Sequence, residues 1–142
     1  EVAKELGADI VVNTKKEVLV EIVMKETNNI GVDVVLEAAG TDSAVKQSIQ
    51  ILRKRGRMLV FGVYGEEASF DWSIISDVKE LEIIGGHLAP YAYPAAIRLL
   101  SKKYVNYDKI VTHTFPLKEW KKAIETAEKR EGGAIKVTMI PP

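Results

Sequence analysis

The sequence predicts an α/β fold in which a partial, doubly wound parallel sheet lacks its first strands and is followed by a C-terminal segment of helices and strands. Three glycine-ended apolar stretches support this prediction, and they span residues 32–40, 56–65 and 80–86. Continuous apolar runs are typical of strands that are buried on both faces, as in parallel sheets. Glycine at a strand end lets a ligand approach the backbone, and doubly wound folds bind their ligands at that edge.

In the first half of the chain, helices are predicted between the strands. Val2 and Leu6 lie four residues apart on a helical face that ends at Gly7, and Thr14 with Glu17 fits a capping box at the start of a second helix. The predicted elements, in order, are a helix tail over 1–6, a strand over 8–12, a helix that reaches about residue 26, the central strand that begins at 32, a helix capped by Thr41 or Asp42 and ended by Gly56, a strand over 58–61, an irregular connection over 66–77 and a last parallel strand over 81–84.

The second half of the chain has a different character. The segment Pro90–Pro94 opens a helix, residues 110–115 are predicted to form a strand, and Pro116 begins another helix. One face of that last helix carries Trp120, Ala123, Ile124 and Ala127. Two glycines end it, and residues 134–140 are predicted to form the closing strand.

Composition and charge exclude several classes of function. Twenty basic and twenty acidic residues give the 142-residue chain a formal net charge of zero, whereas proteins that bind nucleic acids normally carry a basic excess. The absence of cysteine excludes disulfides and thiolate metal sites. With no signal peptide and no apolar run of transmembrane length, we expect a soluble, cytoplasmic protein. Because the chain begins in a helical pattern without Met, we also expect it to be a piece of a longer protein.

The strand ends carry the candidate functional residues. The strand-end glycines are Gly40, Gly62, Gly65, Gly85 and Gly86. They either make tight turns or leave room for a flat ligand, and the chain contains no phosphate-binding G-x-G-x-x-G pattern. Glu37 lies inside an apolar run, where it is either capped by backbone amides or placed where a cofactor binds. His87 follows a glycine-ended strand, but neither His87 nor His113 has metal-ligand spacing to a second ligand.

At these stretches the chain resembles the zinc-type, medium-chain alcohol dehydrogenase family, and within it the branch of sorbitol and threonine dehydrogenases. The resemblance covers essentially the whole chain, in order, through A-K-E-L-G-A-D-I-V-V-N, G-V-D-V-V-L-E-A-A-G, G-R-M-L-V-F-G, I-I-G-G, V-T-H-T-F-P-L and A-I-K-V. It implies a Rossmann-like fold and hydride transfer between an alcohol or polyol carbon and the nicotinamide of NAD or NADP, while a zinc ion polarises the alcohol oxygen.

The resemblance also implies which residues contact the cofactor. The implied contacts are Ala38, Ala39 and Gly40 on the adenosine side, the backbone of Phe61, Gly62, Val63, Gly86, His87 and Leu88 at the nicotinamide carboxamide, and Lys136 near the pyrophosphate. For Lys136 the alternative is an ordinary exposed lysine on a strand.

Family members are much longer than this chain. The family's zinc ligands, its phosphate loop and the acidic residue that contacts the adenosine ribose would precede Glu1, so we expect zinc to bind outside this chain and the chain alone to be inactive. Residues 1–86 are then the C-terminal part of a dinucleotide-binding domain. Residues 87–142 are a segment that packs on a catalytic domain outside this chain. We also expect a homo-oligomer.

Two other interpretations remain open from the sequence. The first is a complete, non-catalytic α/β domain that binds a nucleotide or another subunit, and a methyltransferase core is a more distant second. The substrate, and the choice between NAD and NADP, depend on residues that would precede Glu1.

Overall fold

The structure is a computed structural model that describes residues 2–88, 91–102, 104 and 107–142. The chain divides into two compact units, one spanning Val12–Pro90 and one formed by Glu1–Val11 with Tyr91–Pro142. The helices are α1 (Val2–Glu5), α2 (Leu19–Glu26), α3 (Asp42–Ile51), α4 (Tyr93–Ser101) and α5 (Trp120–Lys129). The strands are β1 (Val32–Glu37), β2 (Leu52–Val60), β3 (Glu82–Gly85), β4 (Val111–Pro116) and β5 (Lys136–Ile140). The predicted α/β class is confirmed.

The unit spanning Val12–Pro90 is built on a parallel sheet with the strand order β1-β2-β3. Helix α3 connects β1 to β2 and packs on one face of the sheet. The buried core between them consists of Val45, Ile49, Leu52 and Met58. Burying one such side chain contributes about 1.5–3 kcal/mol. Because all three strands run in the same direction, their carboxyl ends lie at one edge, as the sequence predicts.

Both ends of α3 are capped, one by a local residue and one by a distant residue. The hydroxyl of Thr41 accepts a hydrogen bond from the N–H of Ala44 at 3.2 Å, which confirms Thr41 as the N-cap. At the other end, the ammonium group of Lys79 donates to the main-chain carbonyls of Ile49 (2.9 Å), Gln50 (2.7 Å) and Leu52 (2.6 Å). A positive charge there satisfies carbonyls that the helix leaves unpaired and also complements the helix dipole.

Three arginines that precede Met58 form ion pairs with carboxylates on neighbouring segments. The pairs are Arg53 with Asp33 (2.6 Å), Arg55 with Glu80 (3.6 Å) and Arg57 with Glu82 (2.6 Å). These side chains are largely exposed, so each pair contributes little stability, about 0–1 kcal/mol. These arginines therefore lie on the solvent-exposed surface of the sheet, as expected for charged residues.

The predicted strand over 8–12 is wrong. Residues 8–12 have no strand structure, and about half of the Ile10 and Val11 side chains is exposed. Apolar residues in sequence are insufficient for a strand, because a strand needs a neighbour that satisfies its backbone groups.

The predicted capping box at Thr14 is also wrong. Asn13 takes the role instead, since its side chain accepts from the N–H of Lys15 and its own N–H donates to the Glu17 carboxylate, both at 3.1 Å. The turn made in this way ends before a helix can propagate. Helix α2 begins only at Leu19, after Val18, which makes no side-chain cap hydrogen bond.

The boundary between α3 and β2 also differs from the prediction, which placed the helix end at Gly56 and the strand at 58–61. Helix α3 ends at Ile51, and Leu52 already pairs with Val32 of β1. A bulge follows, in which Arg55 has a φ of +58° and donates its N–H to the carbonyl of Lys79 at 2.6 Å. The chain therefore pairs with β1 directly after the helix ends, and Gly56 lies in the bulge.

The other unit contains a second parallel pair, β4 and β5, which α5 connects. Ala123 and Thr126 of α5 are its buried positions. Within the same unit, Lys109 forms an ion pair with Glu5. The remaining predicted helices and strands of this half are present, with boundaries shifted by a few residues.

Several apolar side chains of the sheet are accessible. Val34 and Leu36 of β1 have exposed fractions of 55% and 70%, and Ile84 of β3 is 41% exposed. Within the described residues, no helix has the length and apolar character needed to cross a membrane.

Candidate functional site

The carboxyl ends of β1 and β2 are joined at Glu37. Its main-chain carbonyl accepts hydrogen bonds from the N–H groups of Phe61 (2.8 Å) and Gly62 (2.9 Å). The turns 38–41 and 61–64 therefore lie side by side at the edge where doubly wound folds bind their ligands. These two turns, together with Glu37, are called the strand-end site below.

The carboxylate of Glu37 is the buried centre of the strand-end site. The residue is only 3% exposed. One carboxylate oxygen accepts from the N–H groups of Ala39 and Gly40, both at 2.8 Å, and the other accepts from the hydroxyl of Tyr64 at 2.7 Å. The structure thus shows the first of the two alternatives for Glu37, a carboxylate capped by backbone amides. A buried charge is tolerated here because each oxygen has a hydrogen-bond donor.

The same contacts set the ionisation of the pair. Burial raises the pKa of Glu37, but the hydrogen bonds from the Tyr64 hydroxyl and from the N–H groups of Gly40 and Ala39 outweigh it and bring the pKa below its usual value. Burial, together with the hydrogen bond and the charge of Glu37, raises the pKa of Tyr64 to about 12. At neutral pH the pair is therefore a carboxylate and a protonated phenol.

Two glycines allow the turns to approach each other so closely. Gly40 has a φ of +67°, and a Cβ at this position would overlap the carbonyl of Val63. A Cβ on Gly62 would overlap the backbone nitrogen of Gly40. Among the strand-end glycines, these two are thus required by close contact, whereas a Cβ on Gly65 or Gly85 would meet nothing.

The structure brings two of the three expected cofactor segments together. Ala38 and Ala39 are exposed at the end of β1, beside the buried Gly40, while Phe61 and Val63 are 48% and 92% exposed. Gly86 is close to this edge, since its N–H donates to the carbonyl of Val60 at 2.9 Å and a Cβ on it would lie 3.1 Å from the Phe61 ring. His87 and Leu88 follow β3 and are exposed.

Lys136 belongs to the other unit. It is the first residue of β5 and is exposed, and its N–H donates to the carbonyl of Ile110 at 3.1 Å. Its expected place near a pyrophosphate stays a prediction.

A cleft of about 320 Å³ opens beside the strand-end site, at the carboxyl end of β1 and the first turns of α3. Its walls include Leu36, Ala38, Ala39, Thr41, Ser43 and Gln47, and Glu37 also lines it. A larger cavity of about 730 Å³ lies in the other unit, but its lining is mostly apolar and carries no titratable group besides Lys118. The smaller cleft is the better candidate, because it combines exposed backbone at strand ends with a helix N-terminus.

The described residues do not offer a zinc site. Among them, no three or more His, Cys, Asp or Glu side chains are arranged to hold a metal ion. His87 is exposed, and His113 has its Nδ1 atom 3.0 Å from the hydroxyl of Thr112 in the other unit.

The family of zinc-binding dehydrogenases matches residues 1–102 of the sequence. The chain belongs to this family. The erythritol/L-threitol dehydrogenase of Mycolicibacterium smegmatis is 41% identical to it over 140 residues, a match that covers 98% of this chain and 38% of that protein. The sorbitol dehydrogenase of Halalkalibacterium halodurans is 36% identical over 141 residues, with 98% of this chain and 40% of that protein covered.

A solved alcohol dehydrogenase from Escherichia coli CFT073, complexed with the cofactor NADH, has a similar fold. Its TM-score is 0.84 at 28% sequence identity, and the match covers 98% of this chain and 41% of that chain. This member of the zinc-binding dehydrogenase family thus spans about 40% of the length of the relatives that it matches. The family resemblance seen in the sequence is confirmed.

Sequence reasoning missed Tyr64 and Lys79, although each had a signal. A buried tyrosine hydroxyl needs a hydrogen-bond partner, and a carboxylate in an apolar run needs donors, so Tyr64 and Glu37 could have been paired. For Lys79 the signal is weaker, because any lysine near the sheet could have capped α3.

The interlocked glycines predict a difference between two substitutions. We expect Gly62→Ala to lower the free energy of unfolding by about 1–3 kcal/mol, because the added methyl group must displace the turn at Gly40. Gly85→Ala is the matched control and should stay within about 0.5 kcal/mol. Urea unfolding of both variants measures the difference, and equal effects would contradict the close contact.

The low pKa of Glu37 predicts a pH dependence. Because the pKa is lower in the folded than in the unfolded chain, its stabilising contribution is present above the unfolded pKa of 4.5 and is lost as pH falls through the folded value. Below pH 4.5, wild-type stability should therefore fall more steeply than that of Glu37→Gln, which cannot ionise. Urea unfolding between pH 7 and pH 3 measures this, and parallel curves for the two proteins would refute it.

Proposed function

We propose that this chain is the cofactor-binding, C-terminal part of an NAD(P)-dependent, zinc-containing alcohol or polyol dehydrogenase. The observation that supports the proposal most directly is the strand-end site, where two glycine turns expose backbone beside a cleft. Family membership and an NADH-complexed neighbour of the same fold add to it. Hydride transfer belongs to the full-length enzyme, and zinc binds outside this chain.

The chain's own residues bind and orient the cofactor in this proposal. The exposed backbone of Ala38–Gly40 lies against the adenosine side, beside the cleft at α3. The segments Phe61–Val63 and Gly86–Leu88 face the nicotinamide carboxamide. The N–H groups of Phe61, Gly62 and Gly86 already donate within the protein, so these three residues offer their carbonyl oxygens to the carboxamide NH₂ group. Lys136 neutralises the pyrophosphate.

The proposed substrate is a small alcohol or polyol, because the relatives are named as dehydrogenases of erythritol, L-threitol and sorbitol. The bound nicotinamide supplies the hydride acceptor, and the protein fixes its orientation. A cytoplasmic location and a homo-oligomeric assembly complete the proposal.

A substitution in the cleft tests the proposal in the complete gene product that contains this sequence. Ala38 is exposed and lines the cleft, so Ala38→Tyr should fill the space without disturbing the core. We expect NADH or NADPH to bind about tenfold more weakly or worse, with an unchanged melting temperature. Ala127→Tyr, at an exposed position of α5, is the matched control and should bind normally.

Fluorescence titration of the reduced cofactor gives the dissociation constants. A wild-type gene product that binds neither NADH nor NADPH would overturn the proposal, and unchanged binding in Ala38→Tyr would overturn the assigned cleft. Tight binding by this chain alone, with no dehydrogenase activity in the gene product, would favour a non-catalytic nucleotide-binding domain.

A further inference from the structure

Glu37 and Tyr64 form a hydrogen-bonded pair that the proposed cofactor contacts do not use. We propose that these two are positioning residues, which fix the segment Phe61–Val63 in the conformation that receives the nicotinamide end of the cofactor. This inference rests on the proposed function and assigns a separate role within the same site.

Glu37 is unsuited to contact a ligand itself. Its carboxylate is buried, and three donors of the protein, the N–H groups of Ala39 and Gly40 and the hydroxyl of Tyr64, already occupy it. These contacts use three of the roughly four lone-pair sites of the carboxylate, and displacing any of them would leave a buried polar group unpaired, which is costly. The main effect of Glu37 on the cofactor therefore acts through the turns that it holds.

The segment Phe61–Val63 depends on such hydrogen bonds because it has little packing of its own. Val63 is 92% exposed, so apolar burial contributes little to its order, whereas Phe61 is 48% exposed and is held by burial only in part. Exposed turns of this kind open at low cost unless hydrogen bonds hold them. Here the main-chain carbonyl of Glu37 holds the start of the segment, and its carboxylate holds the residue that follows the segment, Tyr64.

Tyr64 is the side-chain link in this arrangement. Its ring packs against the buried core of α3 and β2, while its hydroxyl reaches Glu37. Replacing Tyr64 by phenylalanine removes the hydroxyl and leaves the ring packing, so the fold should persist. The segment would then sample more conformations, and the cofactor would have to order it on binding.

The two carboxylate oxygens serve different turns, which makes the effect selective. One oxygen holds Ala39 and Gly40, on the proposed adenosine side, and the other holds Tyr64, next to the proposed nicotinamide side. Loss of the Tyr64 hydroxyl should therefore loosen the nicotinamide side and spare the adenosine side. A residue that merely stabilises the fold would affect both sides alike.

The test compares NADH with ADP-ribose, which lacks the nicotinamide, in the complete gene product. For Tyr64→Phe we expect NADH to bind about five- to tenfold more weakly, while ADP-ribose binding changes by less than about twofold. Tyr93→Phe, in which a tyrosine that is 72% exposed is changed, is the matched control and should bind both ligands normally. Isothermal titration calorimetry gives both dissociation constants.

Equal weakening for the two ligands, or unchanged NADH binding, would overturn the positioning role. If Tyr64→Phe does not fold, Tyr64→Met replaces it, because methionine also lacks the hydroxyl and adapts to the apolar space that the ring leaves. A selective loss of NADH affinity of about threefold or more would then support the role, and an unselective loss would overturn it. If the wild type binds ADP-ribose but neither NADH nor NADPH, the proposed function itself fails.

Discussion

The buried carboxylate of Glu37 is the interaction on which the strand-end site depends. It joins the turn after β1 to the turn after β2, through its main-chain carbonyl as well as its side chain. Gly40 and Gly62 make this possible, because any Cβ would separate the turns. The cost of burying a charge is offset by three hydrogen bonds.

The fold around this carboxylate follows from ordinary α/β constraints. Helix α3 buries Val45 and Ile49 against the sheet and is capped at one end by Thr41 and at the other by Lys79. The hydrogen bonds between β1 and β2 fix the distance and register of the two strands, and so they also align the two turns. Membership of the zinc-binding dehydrogenase family agrees with a ligand-binding edge at the carboxyl ends of the strands. The described residues contain no group of side chains arranged to bind a metal ion.

The sequence predicted what local patterns determine. Continuous apolar runs identified β1, β2 and β3 as parallel strands. The cap of α3 was narrowed to Thr41 or Asp42, because a cap acts on a residue only two or three positions away, and the structure selects Thr41. The sequence-based prediction failed where the structure of a segment depends on contacts with other residues. At Ala8–Val12 an apolar run has no strand structure, and at Thr14 the neighbouring Asn13 forms the turn instead. Tyr64 and Lys79 were missed because their partners lie 27 to 30 residues away in the sequence.

A crystal structure of the complete gene product with bound NADH tests the central claim most directly. The account predicts that the nicotinamide carboxamide lies against the backbone of Phe61–Val63, with the Glu37 carboxylate still bound to Ala39, Gly40 and Tyr64. A cofactor bound away from this edge, or a Glu37 side chain turned out to contact the cofactor directly, would contradict it.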